Sequence, residues 1–321
     1  MNKLLVILVL PCLVSCPWLV DQLLVYCRED GQLPGLLILH DDEVTLSAGN
    51  GAREVGDSKT QRLKDCRVGG TLDVTGRNTS FQAFDSFEHM SEVTIHDDSS
   101  AMADVNLLPN LQTANTVWLT RPHGSRITGF RELRSVGTLF LDLVRLDIDS
   151  FHHLEEVGWL YVGTNGQVSG FGSLTRVGTA ELGTFRMTGF TSLEVVDGDL
   201  KFVGGHGVGA PVLRAVGGTL DVTQMEGTTI DLPTLERVEG ILSIRNTSLT
   251  RLDGLESLRF VGGNLEVWAN GGLEDVYVEG WAQHITIGGE IIICENGYLR
   301  DPSYRPCCGV DVGCPSTRRR E

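Results

Sequence analysis

Residues Val216–Val222 read VGGTLDV, and this stretch decides the fold because the chain repeats it. The same phrase, a Val, one or two Gly-containing positions and an alternating apolar run, stands as VGGTLDV from Val68, VGTLFLD from Val136, VGWLYVG from Val157 and VGTAELG from Val177. It continues as VDGDLKF from Val196, VEGILSI from Val238 and VGGNLEV from Val261, with weaker copies at Val93–Ile95 and Val117–Leu119. Recurrence every 20 to 24 residues marks a solenoid, in which no repeat buries its own apolar face and each must stack on its neighbours.

One coil carries two periodicities. In FRELRSVGTLFLD, Phe130, Leu133 and Val136 are spaced by three, then Leu139 and Leu141 by two. The first spacing predicts a turn or short helical stretch and the second a short strand. The pattern returns at Phe151, Leu154, Val157, Leu160 and Val162, at Phe190, Leu193, Val196, Leu200 and Phe202, and at Leu255, Leu258, Val261, Leu265 and Val267. Parallel strands stacked about 4.8 Å apart in about ten coils predict a mainly β solenoid roughly 45 Å long. Positions between the inward residues point outward: Asp73, Thr94, Trp118, Phe140, Tyr161, Glu181, Lys201, Asp221, Ser243 and Glu266.

Repetition without a break from residue 66 to 294 argues for one elongated unit in a chain of 321 residues. It divides the chain into a signal-like segment 1–16, an N-terminal cap region 17–65, the solenoid 66–294 and a cysteine-rich cap with a basic tail, 295–321. A net charge of −16 disfavours nucleic acid, whose phosphates require clustered Lys and Arg. The one basic run, Arg318–Arg320, ends the chain and reads as solvated.

The opening MNKLLVILVLPCLVSC has a Lys, a short apolar run and small residues before a cysteine, the layout of a secretory signal. Leu13-Val-Ser-Cys16 resembles a bacterial lipobox, which would make Cys16 the lipidated N-terminus of an exported envelope protein. A signal cut nearby and an uncleaved anchor running on to Val20 are the alternatives, although Asp21 interrupts the latter before the roughly 20 residues a span needs. Of eight cysteines, Cys12 leaves with the signal and Cys16 goes to lipid. The other six, Cys27, Cys66, Cys294, Cys307, Cys308 and Cys314, lie at the two ends of the solenoid, where terminal coils fray and disulfides are expected. Zinc is the alternative for the four C-terminal cysteines, and an export signal favours disulfides over it.

Cys27, the segment DDEVTLSAGN and LKDCRVGGTLDVTG around Cys66, together with DGLESLRFVGGNLEVWANGGL from Asp253, resemble the receptor L domain of the insulin and epidermal growth factor receptors and its bacterial relatives. The similarity covers residues 27 to 294 and identifies the chain as a bacterial lipoprotein-type member. It implies a right-handed, leucine-rich-repeat-like β-helix, a cysteine pair that staples the N-terminal cap to the first coil, and a binding role. The receptors' kinase and cysteine-rich regions have no counterpart, so transmembrane signalling does not carry over.

The chain lacks a G-x-S-x-G elbow, an H-E-x-x-H pair and a P-loop, and its histidines occupy unrelated repeat positions without metal-ligand spacing. His152 and His153 read as solvated, and Gly204, Gly205, Gly207 and Gly209 as an irregular turn. Glu181, Lys201 and Asp221 alternate in sign on successive outward positions and read as compensating surface charges. No catalytic residue, metal or cofactor is expected.

The candidate binding site is aromatic. Trp118, Phe140 and Tyr161 take the outward position on successive rungs, and Trp159 projects from the same face one step earlier, bordered by Thr120, Asp142 and Arg121. Such a strip serves as a contact surface for a glycan, an apolar peptide or another protein, or its rings support one another as a cross-strand ladder or are covered by a loop. Arg245 with Trp268 is a smaller second candidate. Asn78 and Asn246 read as sequons in a glycosylating host and as polar turn residues after a strand in a bacterial one. The expected function is a non-enzymatic binding or adhesion module held at a membrane by its N-terminal lipid. A carbohydrate-active β-helix enzyme and an oligomerising structural spacer are the alternatives.

Overall fold

A computed structural model describes residues 36–40, 43–47, 52–55, 68–75, 87–96, 105–120, 126–143, 147–148, 150–187, 189–205 and 208–297. The signal segment, Cys16, Cys27, Cys66, Cys307, Cys308 and Cys314 lie outside them, as do Asn78, Arg121 and Arg318–Arg320.

The chain is a mainly β solenoid. Its principal sheet is a parallel ladder running from Val68–Thr75 through His89–His96, Thr113–Thr120, Ser135–Leu143, Glu156–Val168 and Arg176–Met187. The ladder continues through Leu200–Val203, Leu220–Thr223, Leu242–Arg245, Leu265–Trp268 and Ile291–Cys294. Each copy of the repeated phrase supplies one rung. The sheet also begins earlier than residue 66: Leu36–His40 pairs in parallel with Val68–Thr75 and antiparallel with Glu43–Ser47, which pairs antiparallel with Ala52–Val55. Short strands make a second side of the coil, where Val105–Leu107 and Asp147–Ile148 both pair with Arg126–Gly129.

The predicted inward residues are the core. Leu139, Leu141, Leu160, Val162, Leu200, Phe202, Leu220, Val222, Leu265 and Val267 are all buried, each worth about 1.5–3 kcal/mol. The spacing-three segments are turns, closed by bonds such as Leu133 N–H to the Phe130 carbonyl (3.3 Å) and Leu154 N–H to that of Phe151 (3.1 Å). Inside them Phe130, Phe151, Phe171 and Phe190 form a buried stack with centroids 5.1, 5.4 and 5.1 Å apart. Phe130 and Phe151 reach it with φ of 46° and 64°. That left-handed backbone costs about 1–2 kcal/mol per residue, which burial of the ring offsets. Exposed pairs such as Arg134–Glu155 and Arg176–Asp197 add little.

The glycines of the repeated phrase act by close approach. Among the described residues, positive φ at glycine occurs at Gly129, Gly204, Gly205 and Gly297, not in the Val-Gly phrase. A Cβ on Gly137 would stand 2.7 Å from the Asn115 carbonyl oxygen, and one on Gly263 would stand 2.9 Å from the Gly240 carbonyl. Any side chain there would push one rung off the next.

The corner after each later strand does need left-handed backbone. Gly204, Gln224, Asn246, Ala269 and Glu295 stand at this one position with φ of 73°, 56°, 53°, 55° and 58°, so Asn246 is the turn residue that the reading of a bacterial chain expects. One residue on, Thr247, Asn270 and Asn296 are buried and form an internal ladder. Asn270 Nδ2 donates to the Ile244 carbonyl and Asn296 Nδ2 to the Val267 carbonyl, both at 2.9 Å. Cys294 ends the last rung.

Gly263→Ala should lower stability to urea by about 1–3 kcal/mol, the usual cost of overpacking, while Gly204→Asn should stay close to wild type because Asn already serves at the same corner. Urea melts followed by circular dichroism check both, and a neutral Gly263→Ala would refute the close-approach account.

Candidate functional site

Register pairing builds the outward face. Thr94, Trp118, Phe140, Tyr161 and Glu181 are consecutive Cα partners, and Lys201, Asp221, Ser243 and Glu266 continue the column. Two residues earlier on each strand, Glu92, Thr116, Thr138, Trp159 and Thr179 make a second column. Two residues later, Thr120, Asp142, Gly163 and Gly183 belong to a third. Trp118, Phe140, Trp159, Tyr161, Thr120 and Asp142 therefore do share one sheet face.

The rings stack on one another. Trp118 and Phe140 have centroids 4.0 Å apart with planes 15° apart, and Phe140 and Tyr161 lie 4.5 Å apart at 9°. Trp159 joins from the neighbouring column, 6.0 Å from Phe140 and 6.2 Å from Tyr161. Trp118 is 37% exposed, whereas Phe140, Trp159 and Tyr161 are half-buried. Tyr161 lies across Gly163, where an added Cβ would meet its hydroxyl at 3.0 Å and Cε1 at 3.1 Å. Period-two alternation identified which side these residues occupy, but it carries no information on ring orientation.

Burial raises the Tyr161 pKa above 10.0, and the Asp142 and Glu181 carboxylates add to the rise while Lys201 opposes it. Beyond the rings the column turns ionic. Lys201 Nζ donates to Glu181 at 3.1 Å, and Asp221 accepts two bonds from Arg245, at 2.9 and 3.3 Å. Asp221 thus pairs across to the third column, and the Arg245 guanidinium lies 6.0 Å from the Trp268 ring centre. This second candidate is a packed ion pair beside an indole. His152 and His153 are exposed.

Among the described residues, no group of three or more His, Cys, Asp or Glu side chains is placed to hold a metal ion, and no helix is long and apolar enough to cross a membrane. One concavity escaped the sequence reading, about 410 Å³ lined by Leu255, Glu256, Leu258, Arg259, Trp281 and His284 among others. Its far wall comes from the helix Asp275–Ala282 and the turn after it, which lie outside the repeat pattern.

No family model, curated protein or solved structure matches the chain.

A spectrophotometric titration, taken as the difference between wild type and Tyr161→Phe, should place Tyr161 above pH 10.0, and Asp142→Asn should move it down. The unfolded tyrosine ionises first, so this residue's contribution to stability falls as pH rises past 10. An unshifted Tyr161 would contradict the packed geometry.

Proposed function

We propose that this chain is an exported, lipid-anchored binding or adhesion module of a cell envelope, without catalytic activity, whose partner is a protein or glycan. The observation that carries this reading is the aromatic column of Trp118, Phe140 and Tyr161 with Trp159 beside it, ending on a Trp that is 37% exposed. A solenoid can bury its large apolar side chains inward, so rings kept on the outside favour a contact surface. The resemblance to the receptor L domain and the lipobox-like Cys16 support a surface location. Along the column beyond the rings, Glu181 is bonded to Lys201, which separates it from Asp221, and this argues against those two carboxylates acting as an acid–base pair. Mutual stacking favours a second reading, a rigid spacer whose outer rings only support each other.

One experiment separates the two. Full-length chain immobilised on a sensor surface is exposed to isolated envelope fragments and purified envelope polysaccharide. Trp118→Ala with Tyr161→Ala should reduce retention at least tenfold while circular dichroism stays native. Equal retention by the folded double variant would dismiss this face, and no retention by wild type would leave the spacer reading. The intact mass of the membrane-purified protein should show acyl chains on Cys16.

A further inference from the structure

The stack itself dictates where a ligand can sit. Rings 4.0 and 4.5 Å apart have no space between them, so the inner faces of the column are already occupied. Only its two end faces are open to question. At the Tyr161 end the next rung presents Glu181 held by Lys201, and the Tyr161 ring leans over Gly163. At the other end the next rung carries Thr94. A threonine side chain stops two bonds from the backbone, whereas an indole projects far beyond it. Among the described residues, the outer part of this Trp118 face therefore stands above a short residue, which accounts for Trp118 being the exposed ring of the set.

We propose that this notch, with Trp118 as its wall and Thr94 as its floor, is a subsite for one pyranose ring of a neutral or amino-sugar glycan. This deepens the binding reading of the same face and rests on it. The rung spacing of about 4.8 Å gives one ring's thickness at the position where the next member of the ladder would lie. The surroundings select the chemistry. Glu92 lies two residues before Thr94 on its rung, and Thr116 two residues before Trp118 on the next. Glu92 is exposed and Thr116 half-buried. An apolar face on the indole with hydroxyl and carboxylate groups at the rim matches a sugar ring, which is apolar on its C–H face and polar at its edge. A phenylalanine from a protein partner would bring an apolar edge against those polar groups, and a tyrosine only one hydroxyl. Glu92 and the net charge of −16 disfavour uronic acids and other anionic sugars.

The probes are chitotetraose, cellotetraose and a β-galactotetraose, with a tetragalacturonate as the anionic control, titrated into full-length protein and read by saturation-transfer NMR and calorimetry. Wild type should bind at least one neutral or amino-sugar probe and not the tetragalacturonate. Thr94→Trp, which adds a ring to the ladder and fills the notch, should weaken binding at least tenfold, as should Trp118→Ala, while Val276→Ala, exposed away from the ring column, should leave it unchanged. Folding of each variant is checked by circular dichroism, and Trp118→Ala decides the matter if Thr94→Trp fails to fold. Wild-type binding of none of the sugars, preference for the anionic one, or unchanged affinity in the two disruptive variants would overturn the subsite. Retention of envelope fragments then separates this failure from failure of the broader reading. If Thr94→Trp retains fragments like wild type and the Trp118→Ala, Tyr161→Ala double variant does not, the face stands and the subsite falls. If all variants retain them equally, both fall.

Discussion

In-register parallel stacking is the constraint on which everything else in this structure depends. Each strand position meets its own counterpart on the rungs before and after, about 4.8 Å away, so a column must tolerate its own chemistry. Phenylalanines inside satisfy this by stacking, as do the outer rings from Trp118 to Tyr161. Buried Asn270 and Asn296 satisfy it because an amide both donates and accepts, so each can bond the next and still serve a backbone carbonyl. Charges satisfy it only in alternation, which is why Lys201 follows Glu181. Where backbone approaches backbone, one column is glycine on successive rungs, from Gly198 through Gly218, Gly240 and Gly263 to Gly289.

Much of this was readable from spacing. The period-two rule placed the outward column from Thr94 to Glu266, and the strand pairing reproduces it residue for residue. Phe130, Leu133 and Val136 were recognisable as inward anchors because a spacing of three returns to the same side of a turn. Other features had no periodic signature. Alternation tells which face a ring occupies but not whether its plane is open or covered by a neighbour. Glycine in VGG suggests a turn, whereas at Gly137 and Gly263 the reason is a contact with the preceding rung that only the stacked structure reveals. The antiparallel strands Glu43–Ser47 and Ala52–Val55 carry no copy of the repeated phrase, and the far wall of the concavity beside Trp281 comes from a helix and the turn after it that lie outside the pattern.

For function, the same constraint turns a list of outward aromatics into a directional object. Among the described residues, a stack that meets an ion pair at one end and a short residue at the other leaves one ring exposed, Trp118. The rest of the column stiffens that ring by holding the indole in place, which reduces the entropy lost when a ligand docks. An exposed ring braced by its neighbours supports the proposed reading of a molecule that attaches to a partner.

The most direct test of the account is hydroxyl-radical footprinting of the full-length chain, free and bound to isolated envelope fragments. Val212 and Val276, which are exposed away from the ring column, serve as internal controls. The account predicts strong protection of Trp118, weaker change at Phe140 and Tyr161, and none at Val212 or Val276. Equal labelling of Trp118 in the free and bound chain, or protection centred on Val276, would contradict it.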